Sequence, residues 1–399
     1  MHGPGNEFLQ TRASIRLRII GCRSAGLKRL VLTKICMKGF NKLWLGIILI
    51  VVFVARTGAA ESDDKSVLDS KATVSAPVLA PAISSPGRVS LIEENATFAP
   101  HGQDRHYTNG AQLSYTTGQL SDSSLFSAPI RWFSPILFHP SSPETDNRFE
   151  WIIFGQSIFT SQNHNLSNPP LNDRPYAGWL YTGFNFIQNT NDRELTSLQL
   201  QAGVVGSWAL GRQTQNTTHT LLGLSKAHGW GHQLSNQPGA MISWQRRWRL
   251  NHELGSGYSW EFIPEIGLTA GNVMSYGEVG GIVRWGRGLK ANWGPDLIQP
   301  GYTGTPYFSA ERAGTSWGYD IYFGVDGRVV ANNIFLDGNN FQNSRSVAKE
   351  IGVADAMAGA EVFYKDRFRF GFTFIARTPE FLKQHGVDQF GSFNLSFAF

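Results

Sequence analysis

The chain has 399 residues, of which 41% are hydrophobic, 16% charged and 13% aromatic, with 43 Gly and 2 Cys. So low a charged fraction beside so many glycines and aromatics excludes a disordered chain and argues against a soluble helical one. The net charge of +5 belongs to a leader, since residues 1–60 carry ten basic residues and one acid, leaving 25 basic and 29 acidic residues in 61–399; no nucleic-acid partner is expected.

Residues 43–55 form one apolar run, Leu-Trp-Leu-Gly-Ile-Ile-Leu-Ile-Val-Val-Phe-Val-Ala. Lys38 and Lys42 precede it and Gly58-Ala59-Ala60 follows it. A basic region, a short apolar core and small residues at a cleavage point are the parts of an export signal. Residues 1–60 are therefore expected to be a signal peptide, with Met37 as the initiator of a leader of ordinary size. Both cysteines, Cys22 and Cys36, lie in it, so the body has no thiol for disulfides or metal. Residues 61–88, rich in Ser, Ala and Pro, read as a flexible linker. Residues 89–399 read as one barrel domain.

In that domain apolar residues alternate with polar ones, as strands require. Phe393, Leu395, Phe397 and Phe399 share one face, with Ser392, Asn394, Ser396 and Ala398 on the other. Phe368, Phe370, Phe372 and Phe374 alternate with Arg367, Arg369, Gly371 and Thr373, and Ile242, Trp244, Trp248 and Leu250 with Ser243, Gln245, Arg247 and Arg249. Leu198, Leu200, Ala202 and Val204 oppose Ser197, Gln199, Gln201 and Gly203. A soluble sandwich would turn the apolar face inward; an outer-membrane barrel turns it to lipid and lines its lumen with the polar face. The aromatic apolar face, the Arg-bearing polar face and the final strand ending on Phe favour the barrel.

The pattern predicts an all-β fold: an antiparallel transmembrane β-barrel of about twelve strands, of the outer-membrane type. The strands are expected near 89–98, 108–119, 149–160, 176–189, 194–207, 240–254, 257–271, 274–286, 315–336, 348–364, 367–379 and 388–399. Two long connections, 120–148 and 287–314, read as loops or short helices on the periplasmic side. Strand parity puts the connections near 99–107, 161–175, 208–239, 272–273, 337–347 and 380–387 at the extracellular rim. Residues 209–224 lack alternation and suit a helix, on which Gln215 and His219 share a face. A His fixed by an amide neighbour can serve as a general base, because imidazole titrates near neutrality. The alternative is a loop His bonded to backbone, which is the reading given to His106, His228, His232 and His385. Arg247, Arg249, Arg367 and Arg369 read as lumen residues that either attract an anionic glycolipid or fill the barrel with salt bridges, and such filling disfavours a pore.

Four segments carry a more specific signal: Tyr107-Thr108-Asn109-Gly110, Asp173-Arg174-Pro175-Tyr176-Ala177-Gly178-Trp179, Gly203-Val204-Val205-Gly206, and Gln215-Asn216 with His219. Together they resemble the lipid A 3′-O-deacylase family of Gram-negative outer membranes, over most of 89–399. The resemblance implies hydrolysis of the 3′ acyl ester of lipid A at the extracellular side of the outer membrane, with a divalent cation, Ca²⁺, as cofactor. It implies lipopolysaccharide as substrate, outer-membrane lipids as surroundings, the barrel-assembly machinery as the inserting partner, and a monomer. His219 then corresponds to the general base, Gln215 to the Gln one turn earlier, Asn95 to an Asn on the first strand near the cation, and Thr108 to a Thr on the second. Arg174, with Asp173 and Tyr176 of the same motif, is placed for substrate binding or for bracing the loops. Two positions depart from the family pattern, Ala96 where an acid follows the Asn and Ser225 where a Glu follows the His; 161–175 also lacks a Lys. Glu94 and Asp104 are the carboxylates that stand in, with Asn95, as cation ligands. The alternative function is a catalytically silent barrel that binds lipopolysaccharide or acts as a scaffold.

Overall fold

The computed structural model describes residues 86–398, save 101, 102, 299, 302 and 303. The expected signal peptide and most of the linker lie outside the described residues.

Thirteen antiparallel strands form one sheet: β1 (Arg88–Asn95), β2 (His106–Thr116), β3 (Thr145–Thr160), β4 (Ala177–Thr190), β5 (Glu194–Val205), β6 (Gln237–Trp248), β7 (Leu250–Gly255), β8 (Tyr258–Gly271), β9 (Met274–Arg287), β10 (Trp317–Asn333), β11 (Gly352–Tyr364), β12 (Phe368–Arg377) and β13 (Asp388–Ala398). Both β6 and β7 pair with β8, so they form a single stave broken at Arg249. The sheet closes where β1 pairs with β13, from Arg88 opposite Ala398 to Asn95 opposite Gly391. The result is a closed twelve-stave barrel, an arrangement that leaves no unpaired edge to lipid.

On β10, Ile321, Phe323, Val325 and Val329 are exposed, while Asp320, Asp326 and Arg328 are buried. In water this arrangement would be inside out; in a bilayer it matches the solvent on each side. The same inversion holds on β13, where Ser392, Asn394 and Ser396 are buried and Phe393, Leu395 and Phe397 face outward. An aromatic cluster marks one rim. Tyr258 stacks on Trp285 at 5.6 Å, its hydroxyl meets that of Tyr319 at 2.7 Å, and Trp317 lies 4.7 Å from Tyr364. Such residues suit the interface between lipid and water.

Several expectations are corrected. The first strand ends at Asn95, and Ala96–Phe98 form a 3₁₀ turn capped by the Asn95 side chain. The stretch 315–336 yields a strand only to Asn333, and Ile334–Asp337 turn helical behind the Asn333 cap. Arg367 is exposed in the turn between β11 and β12, so it is not a lumen residue; Arg247, Arg249 and Arg369 are buried as expected. The connection 120–148 holds the short helix Ala128–Trp132, and β3 already starts at Thr145.

The largest departure is the connection from 288 to 316. It is no external loop but a plug inside the barrel. Trp293, Tyr307 and Phe308 are buried, and the plug's backbone carbonyls accept hydrogen bonds from the wall. Arg247 donates to Gly304 at 2.6 Å, Arg369 to Gly294 at 2.7 Å and Arg377 to Pro300 at 2.8 Å. A segment without a ladder must satisfy its backbone in some other way, and guanidinium forks from the wall do so here. The wall itself is held by lumen ion pairs, such as Arg148 with Asp146 at 2.9 Å and Arg377 with Asp355 at 2.8 Å.

Candidate active site

The rim opposite the two strand termini gathers the connections β1–β2, β3–β4, β5–β6 and β12–β13. The β5–β6 connection carries the helix Gly211–Leu222, as the missing alternation suggested. Its buried residues are Gly211, Gln215 and His219, one turn apart. An amphipathic helix ordinarily buries apolar residues. A polar buried face costs desolvation unless every group finds a partner, so this helix is placed by its polar contacts.

Those contacts converge on His219. Its Nδ1 lies 2.5 Å from the Ser225 carbonyl oxygen, which can only accept, so Nδ1 carries the hydrogen. Its Nε2 lies 2.9 Å from Asp104 Oδ2. The Gln215 amide approaches both oxygens of Asp104 at 3.4 Å and accepts from Trp230 Nε1 at 2.8 Å. His164, from the β3–β4 connection, stands edge-on to His219 at 5.8 Å and bonds the Ser225 hydroxyl at 3.3 Å. Asp104 holds the His219 proton, the strongest influence on it, and raises its pKa against the opposing effect of burial. Leu166, Leu171, Leu221 and Leu224 are exposed on the same connections, so an apolar border lies beside the polar cluster.

Glycine explains part of the motif around residue 178. A Cβ on Gly178 would come within 3.0 Å of Ala209 and 3.4 Å of the Gly211 nitrogen, so the missing side chain lets the helix start directly on β4. Gly229 does the same for Tyr176, whose ring would meet an added Cβ at 2.3 Å.

Asn95 and Thr108 lie at the same rim as His219, but no hydrogen bond joins either to it. The Asn95 side-chain oxygen accepts from the Thr97 backbone and hydroxyl at 2.8 and 2.6 Å. The Thr108 hydroxyl bonds that of Thr160 at 2.7 Å. Glu94 points into the lumen, where it accepts from Tyr107 at 2.8 Å and from the plug amide of Ile298 at 2.9 Å. Asn95, Glu94 and Asp104 thus do not converge as a cation set: one caps a turn, one faces the plug and one is engaged by His219. Among the described residues no group of three or more His, Cys, Asp or Glu is arranged to hold a metal.

The contacts of Arg174, Asp173 and Tyr176 run to the neighbouring loops. Arg174 is buried, pairs with Glu380 at 2.6 Å and lies over the Phe159 ring at 4.9 Å. Burial pushes the Glu380 carboxyl up, but the guanidiniums of Arg174 and Arg377 outweigh it and hold the pKa at about 2. Asp173 accepts from the backbone of Gln162 at 2.9 Å and of Arg174 at 2.7 Å, and lies 3.7 Å from His106 Nε2. Tyr176 packs edge-on against Trp230 at 5.1 Å, and burial raises its hydroxyl to about 12. His106 corrects its bland reading, since its partner is a carboxylate, Asp388, at 2.8 Å. Trp230 lies in the stretch Gly229-Trp230-Gly231-His232-Gln233 that stands out in the sequence; His164, Glu380 and Asp388 were not singled out, and each meets a partner more than fifty positions away. A cavity of about 200 Å³ opens on the flank of the Asp104 loop, lined by Gln103, Arg105, Tyr107, Val387, Asp388 and Gln389.

A closed twelve-stave barrel with an outward apolar face and a polar cluster at one rim defines an outer-membrane β-barrel protein. The family model described as outer membrane protein LpxR matches residues 67–399, and the chain belongs to that family. Its fold is similar to that of LpxR from Salmonella typhimurium, with a TM-score of 0.61 at 20% identity, covering 78% of this chain and 100% of that one. The beta domain of the Bordetella autotransporter BrkA aligns at a TM-score of 0.39 and 9% identity, over 79% of this chain and 100% of that one. No curated protein matches the sequence.

Proposed function

We propose that the protein is a lipid A 3′-O-deacylase whose site faces the extracellular side. The export leader expected in the sequence places both barrel termini on the periplasmic side, and the His219 rim is the opposite one. The observation that carries the reading is the His219–Asp104–Gln215 cluster, in which His219 and Gln215 from the buried face of one helix meet Asp104 from the β1–β2 connection beside exposed leucines. That pairing of a polar catalytic group with an apolar border suits a substrate with a sugar head and acyl chains.

The Ser225 carbonyl fixes His219 with the hydrogen on Nδ1, so Nε2 is the nitrogen that takes a proton from water. Asp104 occupies that nitrogen in the resting state, so the 103–105 loop yields as substrate enters. Water then adds to the ester carbonyl carbon, its proton passing to Nε2. The Gln215 amide, released from Asp104, donates to the developing oxyanion. Collapse breaks the bond from acyl carbon to the 3′ oxygen, and the imidazolium returns its proton to that oxygen. The Ser225 departure is harmless in this scheme because the backbone carbonyl orients the ring.

The test is the lipid A mass spectrum of a Gram-negative host expressing the chain in Ca²⁺-containing medium. Loss of the 3′ acyl group is expected, and His219→Ala should slow it by about 10²–10⁴-fold. Unchanged lipid A with a folded barrel would overturn the reading in favour of a silent lipopolysaccharide-binding barrel, which the closed contact between Asp104 and His219 Nε2 favours.

A further inference from the structure

We infer that a hard cation of the Ca²⁺ class binds inside the barrel, between wall and plug, on Glu150, Asn185 and Asp296. Glu150 lies on β3, Asn185 opposite it on β4, and Asp296 on the plug. All three line one cavity of about 20 Å³, enough for a single ion or water. All three are more than nine-tenths buried. Glu150 Oε1, Asn185 Oδ1 and Asp296 Oδ2 each find no hydrogen-bond donor. Three orphaned oxygens on one cavity, two of them from carboxylates, form an incomplete oxygen cage.

The surrounding charges sharpen the point. Several lumen carboxylates have a guanidinium: Glu265 has Arg247 at 2.7 Å, Glu361 has Arg369 at 2.8 Å, and Asp355 has Arg328 and Arg377; Glu94 and Glu278 are held by neutral donors instead, Tyr107 and the Ile298 amide for the first and Gln245 for the second. Glu150 and Asp296 have no ion pair among the described residues. Glu150 receives one amide, from Asn185 at 3.1 Å, and the Ser114 hydroxyl lies beside the same carboxylate. Arg247 and Arg369 donate to the plug carbonyls of Gly304 and Gly294 and pair with Glu265 and Glu361 on the wall. Two buried carboxylates sharing a cavity repel unless a positive charge lies between them. An oxygen-only donor set with two carboxylates selects a hard cation over zinc or copper. Its role is to pin the plug to β3 and β4. The site is separate from the His219 rim, so it stands or falls independently of the proposed esterase.

The test uses the full chain purified in detergent and stripped with a chelator, with Tb³⁺ as the probe and Trp293, buried on the same segment, as antenna. Saturable luminescence displaced by Ca²⁺ is expected. Asp296→Asn and Glu150→Gln should each weaken Tb³⁺ binding on the order of tenfold or more, whereas His219→Ala and Asn95→Ala leave it intact. Ca²⁺ should also raise the temperature at which the wild-type barrel loses its heat-modifiable gel mobility, and fail to do so in Asp296→Asn. Should the charge variants not fold, Asn185→Ala takes their place. Absence of saturable luminescence from the wild type overturns the inference, because a shared proton or water would then occupy the cavity. Luminescence that survives Asp296→Asn but vanishes in the rim variants overturns it as well.

Discussion

At the scale of single residues, the protonation of His219 sets both the state of the site and its pH dependence. Asp104 raises the pKa of His219 above its ordinary 6.5. A proton held more tightly in the folded state adds stability below the unfolded pKa, and that stability is lost as pH rises through the folded value. The Asp104–His219 contact is therefore firm in acid and slack in alkali. Only the neutral ring acts as a base, so turnover should rise through a limb lying above 6.5. Asp104→Asn removes the charge that holds the proton, and the limb of kcat/KM should move to lower pH. A limb that stays in place would show that Asp104 does not govern the working nitrogen. Ser225→Ala keeps the carbonyl that orients Nδ1, so its turnover should remain within a few-fold of wild type; a loss as large as that of His219→Ala would assign the side chain a role the geometry does not give it.

At the scale of elements, the rim is a set of loops tied together by a few buried charges. Arg174 on the β3–β4 connection and Glu380 on the β12–β13 connection meet across 206 positions of sequence. Arg174→Met strands a buried carboxylate, which costs about 3–5 kcal/mol where no other partner replaces the lost one. Arg377, 4.0 Å from Glu380, offsets part of this. Thermal unfolding should place Arg174→Met well below wild type, and adding Glu380→Gln should recover most of the loss. If the double variant is no better than the single one, the ion pair is not what holds these loops. The Asp-Arg-Pro-Tyr-Ala-Gly-Trp segment was visible in the sequence, and so was the helix that bears Gln215 and His219. Bracing was one of two roles the sequence left open for Arg174, and what it would brace was not legible, because its partner Glu380 has no signature of its own. The same reason hid the pairing of Asp104 with His219: a loop carboxylate has no periodicity, and only the closed barrel brings residues 104 and 219 together.

At the scale of the whole molecule, the wall was legible because every stave obeys one rule, apolar toward lipid and polar toward the lumen. The rule breaks where the chain leaves the wall. Residues 288–316 make no ladder and alternate nothing; their conformation is set by guanidiniums from β6, β12 and the β6–β7 break, which no local pattern reveals. The plug also decides what the barrel can pass. A narrow barrel already crowded by Arg148, Arg247, Arg284 and Arg369 is further filled by Trp293, Tyr307 and Phe308. In a planar bilayer the protein should therefore insert without steady ionic conductance. Arg377→Ala, which cuts the bond to the Pro300 carbonyl, should produce brief openings against that silent background. A steady open channel in the wild type would mean that the plug leaves the lumen in a membrane, and the buried carbonyl contacts that place it would then not govern its position.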